Sequence, residues 1–421
     1  SGGTQVTSST KVTITTNQTL YAHWTANKYN VTFNPNGGTV SPTNKEVTYN
    51  STYNILPIPT RQGYTFNGWY TAASGGTKIG NAGASYTPSA NITLYAQKDV
   101  IKADGVYASE LSVILVDNHG EEHDVTKDVE IYVEGQDEPL KDVNFKTTEE
   151  GEYAFYAVRG FDISNTVAVK AVKGVPDLPA DPDAANTEFA HRMLLVQHTG
   201  NECPNCPKVM DILKRIGDDE EYNSRYLHVA SHSYNSSDAA YSPAAQSLSK
   251  NMGVNLYPMV TTDLTDNQIC FENEIKDAII SCSKEYADAG ISASSAVVGN
   301  QILVNVSLKV AVDSKYRLAV WVLEDNIHSP QAGASASWHN MHSNCLRMMY
   351  GSQKNEQIYG KHLGTVHAGQ SEDIVAAIEI DESWIVDNCK LLIVAVSGSG
   401  DYSLVNCTYC PVEGSVSYNY L

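Results

Sequence analysis

The chain has 421 residues and a formal net charge of −20, which excludes nucleic-acid binding because that function needs a basic surface. Its length is too great for one core, and roughly 150 residues per domain predicts about three domains. Eight cysteines in this acidic chain favour an oxidising compartment, and no apolar run reaches the length of a membrane span.

The first hundred residues are internally repeated. The segment SGGTQVTSSTKVTITTNQTLYAHW, which starts at Ser1, matches SGGTKIGNAGASYTPSANITLYAQ, which starts at Ser74. Self-similarity at a fixed period marks a modular array. We therefore predict the C-terminal part of one unit at residues 1–26 and a complete unit at residues 27–98. We expect the rest of the first unit, and a signal or lipoprotein sequence, upstream of the chain.

The complete unit carries short strand and turn signals. YNVTFNPNGGTV predicts a strand, a turn and a second strand, because Asn36, Gly37 and Gly38 favour positive φ. GYTFNGWYT predicts a short aromatic strand. Together with LYAQ, these segments resemble the Listeria–Bacteroides repeat first known from the internalin B-repeat region. The resemblance implies a small β-grasp-like unit on a bacterial surface protein, used as a spacer or as an adhesive stalk for a host or cell-surface ligand.

The next segment, residues 99–172, alternates apolar and polar positions in ELSVILVD, VEIYVEG, EYAFYAVRG and NTVAVKAV. Short period-two strands between turn signals predict an immunoglobulin-like β-sandwich, with Tyr153 as its candidate corner tyrosine. KGVPDLPADPDAANTE, residues 173–188, holds three prolines and three aspartates and predicts an exposed, semi-rigid linker.

Residues 189–290 follow an α/β pattern. MLLVQ is a continuous apolar run, as expected of a strand buried on both faces, and four apolar residues between Val209 and Ile216 recur at helical spacing. Two further strands (YLHVASH, YPMVTTDL) alternate with two further helices (SPAAQSLSKNMGV, FENEIKDAIISCSKEYADA). This order predicts a thioredoxin-like domain. Residues 291–421 return to strands and predict a C-terminal β-sandwich.

A pair of cysteines, Cys203 and Cys206, precedes the first of these helices with Pro204 and Asn205 between them. A helix N-terminus stabilises a thiolate and lowers its pKa from about 8.5 to roughly 3.5–7.5. In a redox hypothesis the more exposed Cys203 attacks and Cys206 resolves the mixed disulfide, next to Pro258 in a cis peptide. The two other hypotheses are a permanent structural disulfide and a metal site.

Two neighbouring residues oppose thiolate chemistry. Gln197 stands at the strand position where thioredoxins commonly bury a carboxylate, and Glu202 adds a negative charge beside the first cysteine. The segments HTGNECPNCPKVM, YPMV, YRLAVWVLEDNIHSPQ, WHNMHSNCLRMMYG and NCKLLIVAVS resemble the 28-kDa outer-membrane-protein family of Bacteroidetes over about residues 188–421. The resemblance implies a thioredoxin-like domain fused to a β-sandwich in an envelope-anchored protein. That family typically has an aromatic residue before the first cysteine, which this chain lacks.

A second CxxC is formed by Cys407 and Cys410. Zinc motifs usually bring two such pairs within roughly 12–20 residues, and about two hundred separate these. If SGSG forms a hairpin turn between Val396 and Asp401, Cys389 falls near Cys407. We therefore predict a structural disulfide between Cys389 and Cys407.

One loop concentrates soft metal ligands. His339 and His342 lie beside Met341, and with Cys345 they form a set that suits copper. Because no pattern of supporting acidic residues accompanies them, we predict instead that they pack the loop. The sequence thus predicts no metal and no cofactor.

The sequence as a whole predicts a multidomain, β-rich protein of the bacterial cell envelope, at the outer membrane or exposed on the surface. We predict that CPNC exchanges disulfides with protein thiols or disulfides of the envelope. The alternative hypothesis is a non-enzymatic surface adhesin or scaffold in which the CPNC disulfide is structural. Under both hypotheses, the membrane is reached only through a lipid anchor outside this chain.

Overall fold

A computed structural model of the chain describes residues 98–116, 122–160, 162–351, 354–400 and 402–421, and parts of residues 6–96 that include 28–35, 39–48, 56–60, 69–70, 78–80 and 91–96. The turn predicted at residues 36–38 and most of GYTFNGWYT lie outside the described residues. The predicted multidomain, β-rich architecture is confirmed, with many short strands in several sheets. The finer domain boundaries stay predictions.

The chain divides into two compact units. One comprises Ser1–Tyr95, Ser112–Val143 and Ala154–Val167, and the other comprises Ala96–Leu111, Asn144–Tyr153 and Ala168–Leu421. The predicted immunoglobulin-like segment, residues 99–172, is therefore shared between the two units. The strands described in this first part of the chain are β1 Lys28–Thr32, β2 Asn44–Thr48, β3 Trp69–Tyr70, β4 Lys78–Gly80, β5 Asn91–Ala96, β6 Val100–Lys102, β7 Ser109–Val116, β8 Glu122–Asp124, β9 Glu130–Val133, β10 Asn144–Phe145, β11 Gly151–Arg159, β12 Asp162–Ile163 and β13 Val167–Val172.

Aromatic side chains organise the small first unit. The rings of Phe33 and Trp69 lie 5.1 Å apart, and the Trp69 indole donates a hydrogen bond to the Pro57 carbonyl (2.8 Å). In the second unit, the hydroxyl of Tyr153 donates to the Glu149 carbonyl at 3.0 Å. That contact is the one expected of a tyrosine corner.

The remaining elements belong to the second unit. They are β14 Met193–Thr199, α1 Cys206–Gly217, β15 Tyr226–His232, α2 Pro243–Asn251, β16 Met259–Thr262, α3 Glu272–Cys282, β17 Ala289–Val298, β18 Gln301–Val310, β19 Ser314–Glu324, β20 Ile327–His328, β21 Met341–His342, β22 Cys345–Met349, α4 Lys354–Tyr359, β23 Lys361–Val366, β24 Ser371–Glu379, β25 Cys389–Ser397, β26 Leu404–Pro411 and β27 Ser415–Val416. The alternation of strands and helices predicted for residues 189–290 is present.

One large sheet crosses the predicted boundary at residue 290. Its strands follow the order β16-β14-β15-β22-β19-β25-β26, and β23 pairs with β19. Parallel pairing of Ala230 in β15 with Cys345 in β22 joins the α/β strands to the later strands, and the Ala230 N–H donates to the Asn344 carbonyl (2.8 Å). The α/β part and the β-sandwich therefore share one continuous sheet.

Both faces of this sheet are covered. A second sheet, in the order β24-β18-β17-β27, packs over β19, β25 and β26, and the apolar residues between them form the sandwich core. Helices α1 and α3 cover the other strands on one face, where Val209, Leu213 and Ile216 are buried as the helical spacing predicted. On the opposite face of β14, α2 packs through Leu248, and Ser242 caps it by accepting the Ala245 N–H (3.0 Å).

The segment at residues 173–188 is anchored to the sandwich, although its composition predicts an exposed linker. Lys309 of β18 is buried, and its ammonium group donates to the Asp181 carboxylate (2.9 Å), the Ala184 carbonyl (2.8 Å) and the Tyr420 hydroxyl (3.0 Å). Asn305 donates to the Pro176 carbonyl (3.0 Å). A buried charge is retained only when it is paired and hydrogen-bonded, so the linker supplies partners that Lys309 requires.

None of the helices in the described residues has the length and hydrophobicity needed to span a bilayer.

The anchoring of the linker gives a first testable prediction. Lys309→Met keeps the aliphatic stem but removes the charge-assisted hydrogen bonds, each worth about 1.5–3 kcal/mol. We expect an aspartate-specific protease to cut the linker roughly tenfold faster in this variant than in the wild-type protein. Lys315→Met, at an exposed position of the same sandwich, is the matched control and should leave the rate unchanged. Equal cleavage of all three proteins would contradict the anchoring.

Candidate functional site

The CPNC segment connects the end of β14 with the start of α1, and Cys203 and Cys206 form a disulfide bond. Cys206 is the first residue of α1, Asn205 is its N-cap residue, and Pro207 stands in its first turn. Proline suits this position because an N–H there has no partner within the helix. The predicted placement of the pair at a helix N-terminus is confirmed.

The disulfide is enclosed, contrary to the exposed Cys203 that the sequence predicts. Cys203 is 2% exposed and Cys206 is 0% exposed, whereas Glu202, Pro204 and Asn205 face solvent. The segment therefore lies at the surface while its sulfur atoms do not. Access of an incoming thiolate to Cys203 is therefore restricted.

Residues 329–334, here called the capping segment, pack against the backbone around Cys203. The Gln331 side-chain amide lies 3.2 Å from the Gly200 carbonyl oxygen, 3.1 Å from that of Asn201 and 3.0 Å from that of Cys203. Its two N–H groups can serve two of these acceptors at a time. Gln331 is itself buried, so these bonds form out of contact with water. The capping segment thus holds the backbone on both sides of Cys203.

Backbone contacts extend this cover to the next residues. The Ala332 N–H donates to the Asn201 carbonyl at 2.6 Å. Gly333 has φ +74° and lies so close to Pro204 that a Cβ atom would overlap the Pro204 carbonyl oxygen. Only glycine satisfies both the positive φ and the close approach. Glycine at position 333 is therefore required for the capping segment to lie against Pro204 as it does here.

Pro258 lies at the sheet edge from which CPNC starts. The Tyr257–Pro258 peptide is cis, as the sequence predicted. Met259 pairs with His198, so the antiparallel register places Pro258 level with Thr199, the last residue of β14. The Tyr257 ring meets Tyr234 edge to face at 5.3 Å, and Tyr234 is exposed. Two tyrosines therefore lie at this edge.

A buried polar chain runs beneath these tyrosines. His198 contacts the Ser249 hydroxyl through Nδ1 (2.7 Å) and the Thr261 hydroxyl through Nε2 (3.0 Å). The Ser249 hydroxyl lies 2.7 Å from that of Ser233, which lies 3.0 Å from the Tyr257 hydroxyl. Burial lowers the pKa of His198 to about 3, so its ring is neutral at neutral pH. The chain fixes the orientation of Tyr257.

A buried histidine–carboxylate pair lies on the other side of CPNC. The Nδ1 atom of His232 is 2.7 Å from the Asp238 carboxylate, which also accepts the Asn201 N–H at 2.8 Å. Burial alone would raise the pKa of Asp238. The hydrogen bond and charge of His232, with the Ala240 and Asn201 N–H groups, hold that pKa well below its usual range. Asp238 is therefore ionised and supports the loop before Cys203.

A cavity of about 330 Å³ lies between the sheet, α1 and the loop at residues 338–344. Strands β14 and β15 present their polar residues to it on the face that α1 covers. The lining includes three histidines and no acidic side chain. It consists of Gln197, Thr199, Met210, Leu213, Lys214, Tyr226, His228, Ala230, His232, Trp338, Met341, His342, Ser343 and Asn344. The lining combines polar side chains of the sheet with the apolar Met210 and Leu213 of α1.

Three polar atoms of this lining are buried without a hydrogen-bond partner in the described part of the chain. They are the Gln197 Nε2, the Thr199 Oγ1 and the Asn344 Oδ1. Gln197 and Asn344 each use their other amide atom on the His228 ring, at 3.2 and 3.1 Å. Burial lowers the pKa of His228 to about 4, so a neutral ring takes both contacts. Buried polar groups in proteins are nearly always hydrogen-bonded, and water in the cavity can supply the partners of these three atoms.

The loop with His339 and His342, which was considered as a copper site and predicted instead to pack, makes several protein contacts. His339 Nε2 lies 2.9 Å from the Asp211 carboxylate, and its Nδ1 accepts the Ser335 N–H at 3.2 Å. Cys345 is buried in β22. Among the described residues, no group of three or more His, Cys, Asp or Glu side chains is placed to hold a metal ion.

The predicted disulfide between Cys389 and Cys407 is wrong, because both thiols are free. In the β25–β26 hairpin, Cys407 pairs with Val394, five residues along the strand from Cys389. The two cysteines also face opposite sides of the sheet, Cys389 toward the sandwich core and Cys407 toward the helices. The connection between the strands is longer than the SGSG turn, and a bulge at Ala395/Val396 shifts the register.

Comparison with known proteins identifies the first part of the chain. Residues 29–97 match the family model of the Listeria-Bacteroides repeat domain, which confirms that resemblance. A stretch of 79 residues is 48% identical to internalin H of Listeria monocytogenes serovar 1/2a (strain ATCC BAA-679 / EGD-e) and makes up 19% of this chain. The chain spans 14% of the length of internalin H.

Solved structures share less with this chain. HBP35 of Porphyromonas gingivalis is 16% identical with a TM-score of 0.45, covering 56% of this chain and 78% of its own. A domain of the outer membrane lipoprotein Omp28 from Porphyromonas gingivalis is 17% identical with a TM-score of 0.21, covering 32% of this chain and 89% of its own. The resemblance to the 28-kDa outer-membrane-protein family stays a prediction.

Several residues of the site were not found from the sequence. In YLHVASH, period-two alternation places His228 and His232 on one strand face, and this signal was available. Gln331 carries no comparable signal, because 128 residues separate it from Cys203 in the chain. Only the folded structure brings the two together.

The close approach at Gly333 gives a second prediction. Gly333→Ala should displace the capping segment, and the rate at which dithiothreitol reduces the Cys203–Cys206 disulfide should rise at least fivefold. Loss of buried hydrogen bonds worth about 1–3 kcal/mol supports that size. Gly299→Ala is the matched control, because Gly299 has a similar φ of +61° but open space around it. Equal reduction rates for both variants would show that the capping segment does not guard the disulfide.

Proposed function

We propose that this chain belongs to a surface-displayed bacterial protein whose Cys203–Cys206 pair exchanges disulfides with protein thiols outside the cytoplasm. The observation that carries the proposal is the position of the pair, between the end of β14 and the first turn of α1. A helix N-terminus stabilises the thiolate that disulfide exchange requires. Pro258, at the same sheet edge, adds to the support for this site.

The exchange would proceed through a mixed disulfide. A partner thiolate attacks the Cys203 sulfur, the Cys203–Cys206 bond breaks, and Cys206 leaves as a thiolate. A second thiolate of the same partner then attacks the partner's sulfur in the mixed disulfide, and Cys203 leaves as a thiolate. The partner thus becomes a disulfide, and this chain becomes a dithiol. The reverse sequence reduces a partner disulfide, so the pair can work in both directions.

Access to Cys203 would be controlled by the capping segment. Attack on a disulfide needs an approach along the sulfur–sulfur bond, and Gln331 and Gly333 occupy the surroundings of Cys203. Release of two shared hydrogen bonds costs about 1–3 kcal/mol. The conformation with the capping segment displaced is therefore a minor population that can still form during exchange. The proposed exchange is therefore slow in the closed conformation and selective for partners that displace the segment.

A second function is favoured by the burial of Cys203. A disulfide that is 2% exposed and held by Gln331 also suits a structural role in an adhesin or scaffold. In that role the disulfide would fix the conformation of the loop at residues 200–206, against which the capping segment packs. In both functions the repeat at residues 29–97 favours display on the cell surface, where it would act as a spacer or contact a host or cell-surface ligand.

The redox equilibrium of the pair separates the two functions. We expect the pair to be half reduced in a glutathione buffer at a potential above about −300 mV, because structural disulfides typically lie below that value. Alkylation of the free thiols and mass spectrometry of the peptide that contains Cys203 and Cys206 measure the reduced fraction. A pair that stays oxidised throughout this range would support the structural function.

Variants test the assigned roles of the two sulfurs. Cys203→Ser should abolish insulin-disulfide reduction, and Cys206→Ser should accumulate mixed disulfides because the resolving thiol is lost. Cys282→Ser, at a half-buried free thiol at the end of α3, is the control and should retain wild-type activity. If neither the wild-type protein nor the Gly333→Ala variant reduces insulin disulfides, the proposed exchange is contradicted.

A further inference from the structure

A second cavity, of about 600 Å³, lies between the N-terminal half of α2, β22, α4 and the loop that joins β24 to β25. Each of these four elements contributes to its lining, through Ser247, Met348, Gln357 and Trp384 respectively. Cavities of about 300–1,000 Å³ are the usual size of small-molecule sites. This cavity, here called the α2–α4 cavity, shares no lining residue with the CPNC segment, the capping segment or the cavity beside α1.

One wall of the α2–α4 cavity contains an arginine that is held by buried contacts. The Arg347 side chain is 8% exposed, and its Nε atom lies 3.2 Å from the Glu324 carboxylate, in an ion pair whose atoms are not aligned for a hydrogen bond. Its two terminal nitrogens donate to the Ala239 carbonyl (3.1 Å) and to the Ser383 hydroxyl (3.2 Å). A guanidinium group has five N–H donors, so each terminal nitrogen keeps one N–H that these bonds do not use.

A carboxylate stands next to this arginine in the lining. The hydroxyl and the N–H of Ser383 donate to the same oxygen of Asp381, at 2.7 and 2.9 Å, and the other oxygen has no hydrogen-bond partner among the described residues. The two bonds from Ser383 and the charge of Arg347 lower the pKa of Asp381, so this carboxyl group is ionised at neutral pH. The contacts from Arg347 through Ser383 to Asp381 thus hold a donor group and an acceptor group beside each other.

Apolar surface adjoins these charged groups. Trp384 packs against the sandwich core and also lines the cavity, as do Met348 and Met349. The backbone N–H of Trp384 donates to the Asp381 carbonyl at 3.0 Å, which fixes the tryptophan beside the carboxylate. Its indole N–H has no hydrogen-bond partner in the described part of the chain. An indole, a carboxylate and a guanidinium group therefore border the same space.

Neutral polar groups complete the lining. Tyr241, Ser247 and Gln357 contribute two hydroxyls and an amide oxygen, and none of these three atoms has a hydrogen-bond partner within the residues that the structure describes. A hydroxyl donates and accepts, whereas an amide oxygen only accepts. The cavity thus combines donors, acceptors and apolar surface without a uniform charge.

This combination determines the chemical class of the occupant. An anion would meet the carboxylates of Asp381 and Glu379, and a cation would meet the guanidinium group of Arg347. A wholly apolar ligand would displace water from these charged groups without replacing its hydrogen bonds. A neutral sugar avoids all three costs. Each of its hydroxyls donates and accepts, and its C–H groups can pack against the electron-rich face of an indole.

We propose that the α2–α4 cavity binds a neutral oligosaccharide. Trp384 and Met348 would contact its C–H groups, while Arg347 and Asp381 would bind adjacent hydroxyls as donor and acceptor. Gln357, on α4, would accept a hydrogen bond from a further sugar hydroxyl. The site is separate from the disulfide and the capping segment, so the proposal does not depend on disulfide exchange.

Saturation-transfer NMR of the full, oxidised chain with a panel of oligosaccharides tests this site. The panel contains maltotriose, cellotriose, mannotriose, lactose and triacetylchitotriose, each at about 5 mM, which detects affinities in the millimolar range. We expect at least one of these sugars to bind, and isothermal titration then gives its dissociation constant. Trp384→Leu keeps an apolar side chain over the sandwich core, and Asp381→Asn keeps the side-chain shape. Each should weaken binding roughly fivefold or more, through loss of the ring surface or of a charged acceptor.

Matched controls separate this site from other effects of substitution. Trp338→Leu, at a tryptophan of the cavity beside α1, and Asp387→Asn, at an exposed acid of the same loop as Asp381, should bind the sugar as the wild type does. Thermal unfolding checks that each variant is folded, and Asp381→Asn decides the question by itself if Trp384→Leu does not fold.

Titrations with spermidine and with inorganic phosphate test a cationic and an anionic occupant. The proposal is overturned if no sugar of the panel binds, or if spermidine or phosphate binds in place of the sugars. Sugar binding that the folded variants Trp384→Leu and Asp381→Asn leave unchanged would overturn it as well.

Discussion

The parallel pairing of Ala230 with Cys345 is the constraint on which the described sites depend. Without it, the α/β strands and the sandwich strands would form separate sheets. With it, the chain between β19 and β22 must cross the end of the sheet where β14 and β15 finish. That crossing carries Gln331 to the carbonyl of Cys203 and His342 to the ring of His232. A single register thus positions two sites that lie far apart in the sequence.

Asp238 connects these two sites physically. Its carboxylate accepts hydrogen bonds from the backbone of Asn201, from His232 and from the Ser329 hydroxyl, and it is buried. A buried carboxylate needs such a set of donors to remain ionised. The loop before Cys203, the capping segment and the wall of the cavity therefore share one charged group. Movement of the capping segment would remove one donor from Asp238 and would alter the support of His232.

The burial of the disulfide changes how the CPNC motif is understood. A CxxC pair at a helix N-terminus has the local environment for thiolate chemistry, and that environment is encoded within a few residues. Whether an outside thiol reaches it depends on residues more than a hundred positions away. The error at Cys389 and Cys407 has a local cause, since the register of this hairpin depends on a bulge and on a longer connection that composition does not indicate.

The sequence by itself determined the repeat at the N-terminus, the β-rich architecture, and the strand–helix order that places Cys206 at the start of α1. These features follow from periodicity, turn residues and caps, which act over a few residues. Tertiary structure alone decided that one sheet crosses the boundary at residue 290, that Gln331 covers Cys203, and that His232 and His342 meet. Such contacts depend on which strands pair, and pairing is selected by the packing of the whole core rather than by the composition of either strand.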